Sequence, residues 1–209
     1  MMVDNLGRVG FIGRFKPLHL GGARSLDGLC ERADKVVIGI GSCNKYDFRS
    51  PFTAQESVEM INESLKYHHN NYEFVKVPDF GHIPEFRDGQ KWREVVKEEF
   101  GELDSFVSGN EYVRNLLEED YNLVSPGDVI PRKDWIKLRA SRVRYEMAIG
   151  DEWDKLVPGL VTRYLLYNGL VSRFQEEFGL ETIAQYADQS FLNDEGLDQE
   201  RLNVVGGGK

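Results

Sequence analysis

An open, doubly wound parallel α/β sheet of about five strands, followed by extra helices, is the fold class this sequence predicts. Three observations carry that expectation. Short apolar runs of strand length alternate with stretches of helical periodicity over most of the chain. The run Lys35-Val36-Val37-Ile38-Gly39-Ile40 is continuously apolar after its first residue, as in a parallel strand covered on both faces. The turns after the strands are rich in Gly and Pro and open into helices, which sets free backbone N–H groups at the carboxyl edge of the sheet.

In order, the first strand spans Val9 to Ile12 and breaks at Gly13 and Pro17 before a helix that starts near Leu20. Arg14, Lys16 and His19 gather three phosphate-seeking side chains in that turn. Leu20, Leu26, Leu29 and Cys30 form a loose helical face; Gly21, Gly22 and Gly28 weaken it and leave room for a ligand or a neighbouring strand to come close. The second strand ends in Gly41-Ser42-Cys43-Asn44-Lys45, a loop at the same edge. Thr53 and Glu56 have capping-box spacing, with Val58, Ile61 and Leu65 on the following helical face. Ser57 reads as an ordinary exposed helix residue.

Tyr72 to Val77 is the third strand, closing at Pro78-Asp79. The loop from Phe80 to Gln90 contains Gly81, His82, Pro84 and Gly89 and is a candidate substrate lid; Trp92 opens a helix to about Phe100. His82 reads as solvated. Asp104 to Ser108 is the fourth strand, with Asn110 as N-cap of a helix carrying Val113, Leu116 and Leu117. Tyr121 to Val124 is the fifth, and Pro126-Gly127-Asp128 with Pro131 marks a loop. Ser141 then opens a helix with Arg144 one turn on. An anion there would gain free N–H donors, the helix dipole, a hydroxyl and a guanidinium, which makes a second phosphate site. A capped surface helix with solvated arginines is the plain alternative.

With 209 residues, 41% of them hydrophobic, the chain can bury one substantial core. A net charge of −9, with no Lys/Arg run longer than two, argues against a sequence-independent grip on nucleic acid. No apolar run approaches the roughly 18 residues of a membrane span, and Met1 to Asn5 lack the pattern of a signal peptide, so a cytosolic protein is expected. Cys30 and Cys43 fit neither a disulfide framework nor a zinc site, and both are expected reduced. The expected organisation is one α/β domain over residues 1–170 and a helical appendage with a frayed tail over residues 171–209, its apolar spacing marked by Phe174, Phe178 and Ile183.

The stretch Gly13-Arg14-Phe15-Lys16-Pro17-Leu18-His19-Leu20-Gly21 resembles the Gly-Arg-Phe-Gln-Pro-x-His-x-Gly-His signature of nucleotidyltransferases, specifically the archaeal-type nicotinamide mononucleotide (NMN) adenylyltransferases. Position 22 is Gly where the signature closes with a second His. The likeness continues through the Gly41-Ser42 loop and Pro51-Phe52-Thr53 to Glu56, with Ser57 where the family has Arg. It extends through Pro78-Asp79, Trp92 and Gly109-Asn110. Leu138 to Met147 resembles an Ile-Ser-x-Thr-x-Ile-Arg segment, with Ser141 for Thr, Arg144 for the closing Arg and Arg139 in place of Ser. An acidic-Trp-x-x-Leu-Val-Pro segment follows at 152–158, and the match ends near Gly169.

This resemblance implies a Rossmann-like nucleotidyltransferase fold and transfer of AMP from ATP to NMN, giving NAD and pyrophosphate. It implies His19 at the α-phosphate, Arg14 and Lys16 at the phosphate approach, and Ser141 with Arg144 at the β and γ phosphates. Gly13, Phe15, Gly21, Asn110 and Arg139 would line the nucleotide, and Ser42, Asp79 and Trp92 the acceptor. Mg²⁺ would be held by phosphates and water with no side-chain cage, and relatives of this type often form homo-oligomers. Two alternatives stand beside it. The altered loop at residues 80–91 suggests adenylyl or cytidylyl transfer to a different phosphorylated acceptor, and the changes at Gly22 and Ser57 suggest a regulatory nucleotide-binding protein without turnover.

Overall fold

The structure is a computed structural model that describes residues 5–186. Five strands form one all-parallel sheet: β1 (Arg8–Gly13), β2 (Lys35–Gly41), β3 (Tyr72–Val77), β4 (Ser105–Val107) and β5 (Leu123–Val124), in the order β3-β2-β1-β4-β5. The order reverses between β1 and β4. Phe11 lies opposite Ile38 on one side and Val107 on the other, so the crevice at the carboxyl ends of β1 and β4 is the topological switch point where ligands bind in such sheets.

Both faces of the sheet are covered, as the apolar second strand requires. Val36, Ile38 and Ile40 enter the larger core with Leu18, Leu26 and Phe52, while Val37 enters a smaller one with Val77, Phe100 and Phe106. Helix α1 (Leu20–Cys30) follows β1, α2 (Ala54–Leu65) precedes β3, and α3 (Gln90–Phe100) precedes β4. The Thr53–Glu56 capping box is formed: Thr53 Oγ1 accepts from Glu56 N at 3.2 Å, and Glu56 Oε2 accepts from Thr53 N at 2.8 Å. Asn110 caps α4 (Glu111–Leu117), its Oδ1 accepting from Val113 N at 3.3 Å.

Two expectations are corrected. Residues 126–128 are not loop but part of the single turn α5 (Pro126–Val129), capped by Ser125 with Pro126 in first position, where its missing N–H costs nothing. Ser57 is fully buried: its Oγ donates to the Thr53 carbonyl at 3.1 Å and lies 3.5 Å from that of Arg14, so the hydroxyl is satisfied inside the core.

Beyond α6 (Ala140–Ile149), a short 3₁₀ turn at Trp153–Leu156 leads to α7 (Gly159–Tyr167) and α8 (Leu170–Phe174). A π-helical turn at Gln175–Gly179 joins α8 to α9 (Leu180–Tyr186). Phe174 stacks on Phe52 with centroids 6.3 Å apart, inside the larger core. The rest of the expected acidic helices and the glycine tail lie outside the described residues. Among the described residues no helix is long and apolar enough to cross a membrane, and both thiols are free.

Candidate active site

The crevice is built from the turn after β1. Phe15 adopts a left-handed φ of 53°, and its ring folds back on Gly13, where an added Cβ would lie 2.8 Å from the ring. The following Lys16–Pro17 peptide is cis. His19 then caps α1: its Nδ1 accepts from Gly22 N at 3.1 Å. Burial and the nearby Arg144 charge pull this imidazole down to a pKa of about 4. His19 is therefore neutral at pH 7, and with Nδ1 accepting, Nε2 carries the proton as a donor.

Helix α6 meets this turn. Arg144, 5% exposed, donates from Nη1 to the Lys16 carbonyl at 2.9 Å. Ser141 is 4% exposed, and its Oγ has no hydrogen-bond partner among the described residues. Arg139 stands at the N-cap without a side-chain cap bond. The solvated-helix alternative for this segment thus fails for Ser141 and Arg144, which the fold turns inward.

Lys16 departs from its expected place. It is fully buried and donates to the carbonyls of Ser42 at 2.9 Å and Lys45 at 3.2 Å. Burial lowers its pKa to about 8, and the carbonyls replace water around the ammonium. Lys16 therefore ties the β1 turn to the loop after β2, while Arg14 keeps an exposed side chain beside it.

Ser42 holds a left-handed φ of 51° and points its Oγ at Asp79 Oδ2, 3.4 Å away. Asn44 pairs with the backbone of Asp79 in both directions: Oδ1 accepts from its N–H at 2.7 Å and Nδ2 donates to its carbonyl at 3.0 Å. Sequence reasoning passed over Asn44, because the partner lies 35 residues away and no local pattern marks it. His82, read as solvated, is exposed and accepts at Nδ1 from Lys45 Nζ at 2.8 Å, since an ammonium can only donate. Trp92, in the first turn of α3, is half-buried against the smaller core.

At Gly21 an added Cβ would lie 2.6 Å from the Ile136 carbonyl, so only glycine lets the segment before α6 approach α1. Gly22 differs. Outside its own helix backbone, the three atoms nearest a Cβ there belong to side chains: Leu18 Cδ1 at 3.3 Å and His19 Cε1 and Nε2 at 3.8 and 3.9 Å. The glycine at 22 is not imposed by packing against backbone.

A family model described as cytidylyltransferase-like matches residues 10–146, from β1 into α6, and so takes in both the turn after β1 and the start of α6. The chain belongs to the cytidylyltransferase-like family. Among its curated relatives, the nicotinamide-nucleotide adenylyltransferase of Methanococcus vannielii is 28% identical over 160 residues, 76% of this chain and 88% of that protein. The protein of the same name from Pyrococcus abyssi is 31% identical over 159 residues, 74% and 80% of the two chains. The expected kinship with archaeal NMN adenylyltransferases therefore holds. A solved bifunctional NMN adenylyltransferase/ADP ribose pyrophosphatase from Francisella tularensis, complexed with AMP and a manganese ion, superposes with a TM-score of 0.66 at 17% identity. That match covers 98% of this chain and 57% of the longer one, and it establishes the Rossmann-like fold of this cytidylyltransferase-like chain.

Proposed function

We propose that the chain transfers AMP from ATP to NMN, giving NAD and pyrophosphate. The observation that carries this reading is the meeting of two anion-suited helix starts: neutral His19 capping α1 and the buried, unpartnered Ser141 hydroxyl beside Arg144 on α6. Names of the relatives supply the acceptor.

The acceptor phosphate is already ionised at neutral pH, so no covalent nucleophile is needed. Its oxygen attacks the α-phosphorus in line, the α–β bridging P–O bond breaks, and pyrophosphate leaves. His19 Nε2–H donates to an α-phosphate oxygen as charge builds there; Ser141 and Arg144 receive the β and γ phosphates, and exposed Arg14 meets the incoming anions. Lys16 acts by holding the loop rather than by touching phosphate.

The described residues contain no group of three or more His, Cys, Asp or Glu side chains placed to hold a metal ion. A Mg²⁺ entering the site would be carried by the triphosphate and water, with Ser141 and Arg144 around the phosphates. When bound, the cation would neutralise triphosphate charge. Incubating the protein with ATP, NMN and Mg²⁺ should yield NAD in proportion to enzyme. Gly22 favours a second reading, ATP binding without turnover, which calorimetric ATP binding with no pyrophosphate release would support.

A further inference from the structure

The segment after α7 reaches back over the loop that follows β2. Arg173 in α8 forms a two-pronged pair with Glu56, Nη1 to Oε1 at 2.6 Å and Nη2 to Oε2 at 2.8 Å, and Nη2 also donates to the Pro51 carbonyl at 3.2 Å. Its guanidinium carbon stands 5.8 Å from the Tyr46 ring centroid. One turn further on, Glu177 accepts a hydrogen bond from the Tyr46 hydroxyl, and Phe178 meets the Tyr46 ring edge-on at 5.2 Å.

The loop needs such an anchor. Between Ser42 and Arg49 no residue is fully buried: Cys43 rests partly buried against the larger core, and beyond it Tyr46 is exposed. Yet it carries the carbonyls of Ser42 and Lys45 that hold Lys16, and the Asn44 side chain that holds Asp79. Lys16 in turn offers its carbonyl to Arg144. The triphosphate side is fixed differently, since α6 is seated in the core through Val143 and Met147. Loosening the loop therefore disturbs the Ser42–Asp79 side more than the α6 side.

We propose that Arg173 and Glu177 are positioning residues: from the C-terminal helical segment they latch the loop that follows β2, Arg173 at the Pro51 carbonyl and the Tyr46 ring and Glu177 at the Tyr46 hydroxyl, and that latch sets the affinity for the phosphorylated acceptor. The acceptor assignment rests on the adenylyl-transfer reading; the latch itself rests on the contacts alone. A bidentate, charge-assisted pair of this kind is sensitive to geometry, so lysine replaces arginine only in part.

The test combines kinetics of the full chain with hydrogen exchange. Arg173→Ala is expected to raise the KM for NMN by about tenfold, with kcat and the KM for ATP within about twofold, the signature of lost acceptor binding. Arg173→Lys should recover part of that loss. Amides of residues 42–47 should exchange about tenfold faster in Arg173→Ala while those of β1 keep their protection. Tyr46→Ala, at a half-exposed position, gives the same readouts should the arginine variant fail to fold. Unchanged exchange at residues 42–47, or equal losses toward ATP and NMN, would overturn the proposal. Exchange needs no turnover, so faster exchange in a protein that makes no NAD would sink the acceptor assignment and leave the latch standing.

Discussion

Arg144 and Lys16, 128 residues apart, are joined by a 2.9 Å hydrogen bond from the arginine Nη1 to the lysine carbonyl. That bond fastens the start of α6 to the turn after β1, and it brings the Arg144 charge close enough to depress the His19 pKa. Two turns that could each hold an anion become one site through it.

Arg144→Ala should therefore affect both fold and activity. Removing the charge proposed to receive the leaving β and γ phosphates costs about 10²- to 10³-fold in rate. The Lys16 carbonyl, left without this donor, adds a destabilisation of about 1–3 kcal/mol. Steady-state kinetics and thermal melting check the two parts; full activity with an unchanged melting temperature contradicts the arrangement.

Lys16→Gln should keep kcat/KM within about tenfold, because the ammonium serves two carbonyls rather than a phosphate. A loss of about 10³-fold or more with an intact fold would return Lys16 to the phosphates.

Gly22→His is expected to raise kcat by about ten- to a hundredfold, since its Cβ would meet His19 at ordinary contact distance and need only a small shift of the Leu18 side chain, and a second donor would reach the same oxygens. Arg139→Ala, which removes a cation from the N-cap of α6, should lower turnover in the native background and matter less in the Gly22→His background. Additive effects of the two changes would show that Arg139 does not compensate for Gly22.

The His19 pKa carries a pH prediction. Its folded value, about 4, lies below the ordinary 6.5, so the unfolded chain binds the extra proton first as pH falls. The stability owed to neutral His19 is complete above about 6.5 and is lost as pH drops toward 4. Melting temperature against pH should fall more steeply over that window in the native chain than in His19→Asn. Titration of the His19 ring by NMR near 6.5 would refute the lowered pKa and with it this pH window.

Much of the fold was legible because its signals are local or periodic. Lys35 to Ile40 declared a two-faced strand by its unbroken apolar run, and Thr53, Glu56 and Asn110 declared helix starts through bonds that span three residues. Ser57 misled because a polar side chain on the buried stripe of Ala54, Met60 and Ile61 is satisfied by the carbonyl four residues back, which spacing alone does not reveal. Lys16 misled for the opposite reason. A cation in a glycine turn looks phosphate-seeking, and the carbonyls that claim it lie 26 and 29 residues away. Tyr46 and Arg173 meet only because the chain after α7 folds back, a tertiary fact with no sequence signature.

The most direct test of the central claim uses ATP labelled with ³²P at the α-phosphate, together with NMN and Mg²⁺. The account predicts that the label appears in NAD at a rate set by enzyme concentration, that unlabelled pyrophosphate is released in equal amount, and that His19→Ala slows both by about 10²-fold or more. Label remaining in ATP, under conditions where calorimetry registers ATP binding, would contradict it.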